Sequence, residues 1–382
     1  MPYSNPHITI RRATGTDMRA LLKFVAQTYG KGAPFKNLAR HLWQFENTPY
    51  RPAGETEPTI WLALDGARVV GEIAVQDGAM RIQGKLVPAG WVVDVMVHPD
   101  YRGMGLSHRI HDAVLQDRQV LFTLTMAPAT RRVAERADCL TLGPTRQFIL
   151  PHRLSAKTVT RFLDYKANMS NPRRARMLNL FTATRVGPLL VAGGARLAAN
   201  LRRLRVPAPS GEVLKIIEVD RFPTSIDDLW TDHRDDFPGI FERSARFLNW
   251  RFVEAPGLTY RRFLLERGGA PKGYLVTRLG VAEELPLGVI ADVFAGPEDA
   301  AGLDALLAQA FDVLSPDVEY IEAAASTPAW QAALRRAGFI ATRTMRPTVV
   351  CTNTNLRANL AQIEGDWHFT KADHDWDQVH TV

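Results

Sequence analysis

The sequence of 382 residues predicts an α/β (α+β) protein whose two halves repeat one order of helices and strands. Three observations predict this class. Short sequence patches recur at a nearly constant spacing, which is typical of an internal repeat. Apolar residues alternate with a period of two in some segments and recur with a period near 3.6 in others. The chain is long enough for two domains, and its 46% apolar content supports two full cores.

The internal repeat is most specific where it contains tryptophan, a rare residue. Three patches of the first half return in the second, in the same order and at offsets of 207, 198 and 200 residues: Trp43-Gln44-Phe45 as Trp250-Arg251-Phe252, Asp94-Val95 as Asp292-Val293, and Pro128-Ala129 as Pro328-Ala329. We therefore expect two lobes with the same arrangement of elements.

The expected elements follow the same order in both halves: two helical segments, two paired strands, then a strand, a helix, a strand and a helix. The helical segments are 17–29 and 35–45, then 226–237 and 244–252; the paired strands are 59–64 and 68–76, then 260–266 and 272–277. The residues at 66–67 and at 268–271 are typical of hairpin turns. The halves end near Phe148 and Val350.

One loop carries the chemistry of the first half. An alternating apolar run from Val92 to Val97 ends at Pro99, and an amphipathic run begins at Leu106, which predicts strand, loop and helix. Gly103 and Gly105 let the backbone N–H groups turn inward, and the helix adds its own unpaired N–H groups and positive dipole end. This combination is typical of a pyrophosphate cradle.

Two other phosphate-binding loops do not fit this segment. No Gly-Lys-Ser/Thr is present for a Walker A loop, and His108 stands where a dinucleotide fingerprint needs its third glycine. The pattern of Arg102, Gly105 and Ser107 after a strand that ends near proline resembles the acetyl-CoA loop of the GNAT acyltransferase superfamily. The resemblance implies two tandem GNAT-like domains, each with a mixed central sheet flanked by helices.

The resemblance also implies acetyl-CoA, or another acyl-CoA, as the co-substrate. The residues expected to hold it are the backbone of the groove strand and the cradle itself: Val95, Met96, Val97, Arg102, Gly103, Met104, Gly105, Leu106 and Ser107. The second half has Glu298 and Asp299 at the place of the cradle, where two carboxylates repel a pyrophosphate. One competent and one degenerate lobe resemble the enhanced intracellular survival acetyltransferases, without their sterol-carrier-like domain.

Four groups are candidates for the base that deprotonates the acceptor amine. Asp94 lies on the strand that enters the loop, but Asp292 occupies the same place in the degenerate half, which also fits a structural role. Glu72 and Glu46 are alternatives, on a strand and at a helix end. The family resemblance implies a fourth candidate, the terminal carboxylate of Val382, at the end of an acidic and aromatic arm.

Neither half supplies the tyrosine that commonly protonates the leaving thiolate in GNAT enzymes, since Val133 and Leu334 stand at its place. A tyrosine from elsewhere, Tyr29 or Tyr50, is an alternative, as is water. His98, His108 and His111 cluster near the loop. His108 and His111 share a helix face, but no third ligand lies at a spacing typical of a metal site, so we expect no metal.

The basic character of the chain is confined to a connector. Its net charge is +7, yet twelve Lys/Arg and one acid lie between Arg153 and Arg205. Residues 177–205 have helical spacing, interrupted at Gly187-Pro188 and Gly193-Gly194, which predicts two short helices. A solvated connector and a peripheral membrane contact both fit this pattern. No aromatic residues interleave with the arginines as nucleic-acid stacking requires, so we expect no nucleic-acid partner.

The sequence therefore predicts four parts: a GNAT domain at 1–152, the connector at 153–211, a degenerate GNAT-like domain at 212–352 and the arm at 353–382. Two distant cysteines, no signal peptide and no spanning segment predict a cytoplasmic protein, with the inner membrane face as its one possible membrane contact. The expected activity is N-acylation of a small amine such as an amino sugar. The alternative is a cofactor-binding regulatory protein with little turnover.

Overall fold

A computed structural model describes residues 8–29, 36–124, 128–136, 138–168, 171–184, 186–203, 214–282, 285–363 and 367–378. Contacts divide the described chain into two compact units, which are treated separately below. Unit 1 takes in the described parts of Met1–Thr145, Asp220–Thr259 and Thr344–Val379, and unit 2 those of Arg146–Val219 and Tyr260–Arg343. The four-part division drawn from the sequence stays a prediction, because a compact unit need not coincide with a repeat.

Sixteen strands are present in the described residues. They are β1 (Ile8–Arg12), β2 (Ile60–Asp65), β3 (Arg68–Ile82), β4 (Lys85–Val97), β5 (Val120–Thr123), β6 (Leu140–Thr141), β7 (Thr145–Pro151), β8 (Lys215–Glu218), β9 (Gly239–Phe241), β10 (Arg261–Arg267), β11 (Ala270–Ala282), β12 (Leu285–Ala295), β13 (Tyr320–Ala325), β14 (Ile340–Met345), β15 (Thr348–Cys351) and β16 (Trp367–His368).

Twelve α-helices accompany the strands in the described residues. They are α1 (Met18–Tyr29), α2 (Leu38–His41), α3 (Leu106–Asp117), α4 (Pro128–Arg136), α5 (Ala156–Asn168), α6 (Pro172–Ala183), α7 (Val186–Arg203), α8 (Ile226–His233), α9 (Ala245–Phe252), α10 (Ala300–Leu314), α11 (Pro328–Arg336) and α12 (Thr354–Gln362). A π-helical turn, Leu42–Glu46, continues α2.

Unit 1 is built on a mixed sheet with strand order β1-β2-β3-β4-β5-β15-β6, with β9 and β16 attached beside β3. Helix α3 covers one face because its apolar residues recur at helical spacing: Leu106, Ile110 and Val114 are all buried. Helix α1 and the turn after α2 cover part of the other face, where Leu21 and Phe45 are buried. The predicted α/β class with mixed sheets between helices is confirmed.

Unit 2 repeats this order in its own sheet, β8-β10-β11-β12-β13-β7-β14. Helix α10 packs Leu303, Leu306 and Leu307 into the unit 2 core as α3 does in unit 1. Apart from β9 and β16, which have no counterpart among the seven strands of unit 2, the two sheets are equivalent strand by strand with one exception. The sixth position is filled by β15 in unit 1 and by β7 in unit 2, so the last strand of each half of the sequence belongs to the sheet of the other half.

The connector contains two helices, as the sequence predicts, but only one of the two predicted interruptions is present in the described residues. The break falls between α6 and α7, before Gly187-Pro188, and α7 runs unbroken through Gly193-Gly194. Proline is tolerated here because it lies in the first turn, where its missing N–H has no intrahelical partner. Two glycines weaken a helix by about 1 kcal/mol each without ending it. No helix in the described part of the chain is long and apolar enough to cross a membrane.

Candidate functional site

The first component of the site is the gap that opens between β4 and β5. The two strands run parallel but pair only at Gly90 with Leu121 and at Trp91 with Phe122. A β-bulge at Val93 then shifts the register of β4 against β3 and bends the strand. Beyond Trp91, β4 has no strand partner on its β5 side within the described residues. The backbone of Val95 to Val97 therefore lies along an edge without a strand partner among the described residues, and its predicted role as the groove strand stays a prediction.

The second component is the loop between β4 and α3. Gly103 and Gly105 have φ angles of +84° and +73°, a left-handed conformation that strains any residue with a Cβ. Gly105 is the N-cap of α3, and it has no side chain to cap the helix. Among the described residues, no acceptor receives a hydrogen bond from the backbone N–H groups of 103 to 107. These donors and the exposed Arg102 form a cradle with the chemistry that a diphosphate requires.

The equivalent loop of unit 2 carries its own anion. Asp299 caps α10, its carboxylate accepting from the N–H of Gly302 at 2.9 Å, and it is also paired with Arg267 at 2.6 Å. The helix end that would have to receive a diphosphate is therefore already satisfied by a carboxylate of the protein. The split between strands is nevertheless present, since β12 and β13 pair only from Leu287 to Val289 on the β12 side.

The third component is a buried polar cluster on the face of the unit 1 sheet opposite α3. Lys36, just before α2, forms an ion pair with Asp94 on β4, and both side chains are nearly inaccessible. Glu72 on β3 pairs in register with Met96, so it lies beside Asp94 on this face. The side chain of Glu72 is buried, and neither of its carboxylate oxygens has a hydrogen-bond partner in the described residues.

Electrostatics separate the roles of the charged groups. Burial raises the pKa of Glu72 well above its usual value, the negative charge of Asp94 raises it further, and Lys36 opposes both effects. Burial disfavours the charge on Lys36, but Asp94 and Asp375 outweigh it and raise the pKa of the ammonium. Glu72 is thus the carboxyl of the cluster whose surroundings favour the protonated form, while Lys36 stays charged.

The C-terminal arm contributes to the same cluster. Burial would raise the pKa of Asp375, but His374, Lys36 and Arg251 outweigh it and hold this pKa below its usual range. His374 also meets the ring of Trp91 edge to face, with ring centroids 5.4 Å apart. The arm therefore places a carboxylate and an imidazole beside the point where β4 and β5 separate.

Two fully buried ion pairs fix this arm to unit 1. Arg243 pairs with Asp373 at 2.6 Å, and Arg251 pairs with Asp377 while donating to the carbonyl of His374 at 3.1 Å. Arg40, in α2, donates to Gln378. The arm thus ends, as far as the structure describes it, against the helix that follows Lys36. Val382 lies outside the described residues, and its predicted role stays a prediction.

The remaining sequence candidates have other surroundings or lie outside the described residues. Glu46 is half-buried at the end of the turn after α2. Tyr50 is also half-buried, with its ring centroid 6.2 Å from that of Phe247, and burial of its hydroxyl raises its pKa. His98 contacts Arg68 at 2.9 Å, and burial lowers the pKa of His111. The side chain of Tyr29 lies outside the described residues.

Sequence reasoning missed Lys36, His374 and Asp375. Lys36 is 58 residues from Asp94 in sequence, and nothing local to it signals a partner. His374 and Asp375 were recognised only as part of an acidic, aromatic tail. Their role depends on tertiary contacts made through Arg243 and Arg251, which a single sequence does not reveal.

Comparison with known proteins agrees with this geometry. Residues 9–124 match the family model of the acetyltransferase (GNAT) domain, a segment that contains β4, the cradle and the cluster residues Lys36, Glu72 and Asp94. A search of curated protein sequences finds no significant match. The domain match and the fold support an acyltransferase.

Solved structures share the fold over most of the chain. A GCN5-related N-acetyltransferase from Anabaena variabilis is 12% identical with a TM-score of 0.60, covering 91% of this chain and 73% of that one. One from Kribbella flavida is 14% identical, with a TM-score of 0.52 and coverages of 90% and 71%. Saccharomyces cerevisiae N-myristoyltransferase with bound myristoyl-CoA is 10% identical, with a TM-score of 0.53 and coverages of 92% and 84%.

Proposed function

We propose that this protein is an acyl-CoA-dependent N-acyltransferase that uses acetyl-CoA and acylates a small amine such as an amino sugar. The single observation that carries the proposal is the cradle: five consecutive backbone N–H groups that have no acceptor among the described residues, at a helix N-terminus beside an open strand edge. Residues 102–107 would hold the diphosphate of CoA, and the β4 edge at Val95 to Val97 would hold the acyl-bearing end.

The acceptor amine must be uncharged to attack. We propose that Glu72 removes its proton, because a buried carboxyl with a raised pKa is a stronger base than an exposed one. The amine nitrogen then bonds to the thioester carbonyl carbon, the carbon–sulfur bond breaks, and the thiolate leaves with the bonding electrons. A backbone N–H of β4 stabilises the charge that develops on the carbonyl oxygen.

Asp94 acts on this chemistry through charge. Its carboxylate is held by Lys36 and raises the pKa of Glu72, so we propose it as a positioning residue. The unit 2 equivalent, Asp292, is likewise buried and accepts from Tyr274 at 2.8 Å. Because unit 2 has this carboxylate but no cradle, part of the role of Asp94 is structural.

The finer family relationship is also a proposal. The fused pair of lobes with one satisfied helix end supports the arrangement of the enhanced intracellular survival acetyltransferases. We further propose that the connector at 177–205 contacts the inner face of the membrane of a cytoplasmic enzyme. The exposed leucines of this segment, and the exposed arginines at 173, 174 and 176 just before it, support this contact.

Thiol release from acetyl-CoA with a panel of amino sugars and polyamines tests the proposed activity. We expect turnover with at least one amine, and Glu72→Gln to lower kcat by about 10²- to 10⁴-fold with CoA affinity unchanged. Glu46→Gln is the matched control and should leave kcat within about twofold. Tight CoA binding without thiol release for any amine would instead favour the regulatory alternative.

A further inference from the structure

Helices α6 and α7 present their large apolar side chains to solvent. Twelve large apolar residues are exposed in the described chain, and eight of them lie on these two helices. We call these eight the apolar connector face: Met177, Leu180, Phe181, Val186, Leu189, Leu190, Val191 and Leu197. Leu180 and Leu190 are 71% and 69% exposed. Such a concentration marks a contact surface, because scattered single residues are the norm on protein surfaces.

The burial pattern of α7 is the reverse of a helix that packs into its own protein. Gly187, Pro188 and Ala192 are buried, whereas Val186, Leu189, Leu190 and Leu197 follow helical spacing on the exposed side. An ordinary surface helix buries the leucines and exposes the small or polar residues. Helix α7 therefore packs within unit 2 through its smallest side chains and leaves its most apolar stripe uncovered.

Charge indicates what covers this stripe. Between Asn171 and Arg203 the sequence has seven arginines and no lysine, aspartate or glutamate: Arg173, Arg174, Arg176, Arg185, Arg196, Arg202 and Arg203. The side chains of Arg173, Arg174 and Arg176 are exposed on α6. A second copy of this chain would bring seven more positive charges against these and be repelled. An anionic lipid surface offers both negative charge and an apolar layer.

We propose that the apolar connector face binds peripherally to a bilayer that contains anionic phospholipid. The leucines enter the boundary between headgroups and acyl chains, and the arginines contact lipid phosphates. Both helices then lie in the plane of the interface. This binding does not depend on acyl transfer, so an experiment can support or overturn it independently of the proposed activity.

Vesicle flotation of the full-length protein tests the proposal. We expect flotation with vesicles of three parts phosphatidylcholine to one part phosphatidylglycerol, and none with phosphatidylcholine alone. Raising the salt concentration should weaken binding because charge attraction is screened. Absence of flotation with the anionic vesicles would overturn the proposal.

Two triple variants separate the apolar and charged contributions. Leu180→Ser/Leu189→Ser/Leu190→Ser and Arg173→Gln/Arg174→Gln/Arg176→Gln should each lower the partition coefficient at least about tenfold. The matched controls alter exposed residues elsewhere: Leu86→Ser/Leu279→Ser/Ile340→Ser and Lys85→Gln/Arg343→Gln/Arg346→Gln. Equal losses in test and control variants would contradict the proposal.

Analytical ultracentrifugation without lipid tests whether a second copy of the protein, rather than lipid, covers the apolar connector face. We expect the wild-type protein and the leucine variant to sediment alike. A concentration-dependent dimer that the leucine variant abolishes would show that a second copy covers the face and would overturn the lipid assignment.

Discussion

Trp43 and Trp250 occupy equivalent places in the two sequence repeats and stack on each other in unit 1. Their ring centroids are 4.7 Å apart with an interplanar angle of 20°. Each indole N–H donates to the main-chain carbonyl of the other residue, at 3.0 Å from Trp43 and 3.3 Å from Trp250. The same patch contacts itself, as in the isologous interface of a twofold dimer, here within one chain.

This pair predicts a large stability effect. Trp43→Ala leaves a cavity and an unpaired buried carbonyl at Trp250, and we expect it to lower the free energy of unfolding by about 3–5 kcal/mol. Denaturant unfolding followed by circular dichroism measures this. The control is Trp230→Ala, which removes another buried indole of unit 1 that lies outside the pair. In the double variant Trp43→Ala/Trp250→Ala, the loss should be smaller than the sum of the single losses. Strict additivity would show that the two indoles do not interact.

The charges around Glu72 predict opposite shifts in the pH dependence of kcat/KM. Asp94→Asn removes a negative charge, lowers the pKa of Glu72 and moves the acid limb down by about one pH unit. Lys36→Met removes a positive charge and moves the limb up by a similar amount. The double variant should return towards the wild-type profile. Shifts of the same sign would exclude Glu72 as the titrating base.

Glu72 also predicts how stability changes with pH. A carboxyl whose pKa is raised in the folded state contributes stability below its unfolded value of about 4.5 and loses it as pH rises through the folded value. Wild-type protein should therefore lose stability over this range more steeply than Glu72→Gln. Urea unfolding at a series of pH values compares the two slopes. Parallel slopes would mean that Glu72 is not perturbed.

The cradle predicts a selective effect on cofactor affinity. Gly105→Glu forces a left-handed backbone on a side chain with a Cβ and adds negative charge beside a diphosphate, so CoA affinity should fall at least about 100-fold. Gly268→Glu places the same change at another positive-φ glycine, in the turn between β10 and β11. Isothermal titration with CoA compares the affinities of the two variants, and so separates the effect of backbone strain from the loss of the cradle. Equal affinities would refute the cradle.

The C-terminus predicts a further test of the base. Deleting residues 379–382 keeps Arg243–Asp373, Arg251–Asp377 and the Arg40–Gln378 contact, so the thermal midpoint should change little. If Val382 supplies the base, kcat falls by about 10²-fold or more, whereas Val382→Ala, which keeps a terminal carboxylate, retains activity. Unchanged kcat in the deletion would leave Glu72 as the base.

What the sequence predicted was local. Pro99, Gly103 and Gly105 determine the loop conformation through their own backbone preferences. Helix α3 follows from the spacing of its apolar residues. The order of strand, loop and helix could therefore be predicted from the local sequence. The Lys36–Asp94 pair joins residues 58 positions apart, and its formation depends on the packing of α2 against the sheet. No short-range pattern specifies such a contact.

The connector shows that local sequence also does not determine where a helix is interrupted or which of its sides is buried. The sequence predicted interruptions at Gly187-Pro188 and at Gly193-Gly194, but a proline in a first turn and a glycine pair inside a helix are both compatible with one continuous α7. Which side of α7 is covered depends on the neighbours it meets. The periodicity of its leucines did not reveal that Gly187 and Ala192 are the buried residues.

The placement of β15 next to β5 has a consequence for synthesis. Translation reaches residues 348–351 only after the more than 200 residues that follow β5 have been synthesised. Until then, the lobe that contains Gly105 has an open sheet edge at β5 and no complete hydrogen-bond ladder there. Nascent chains are therefore exposed to edge-to-edge association until β15 is made, and two co-expressed fragments divided within the connector should complement each other where either alone would aggregate.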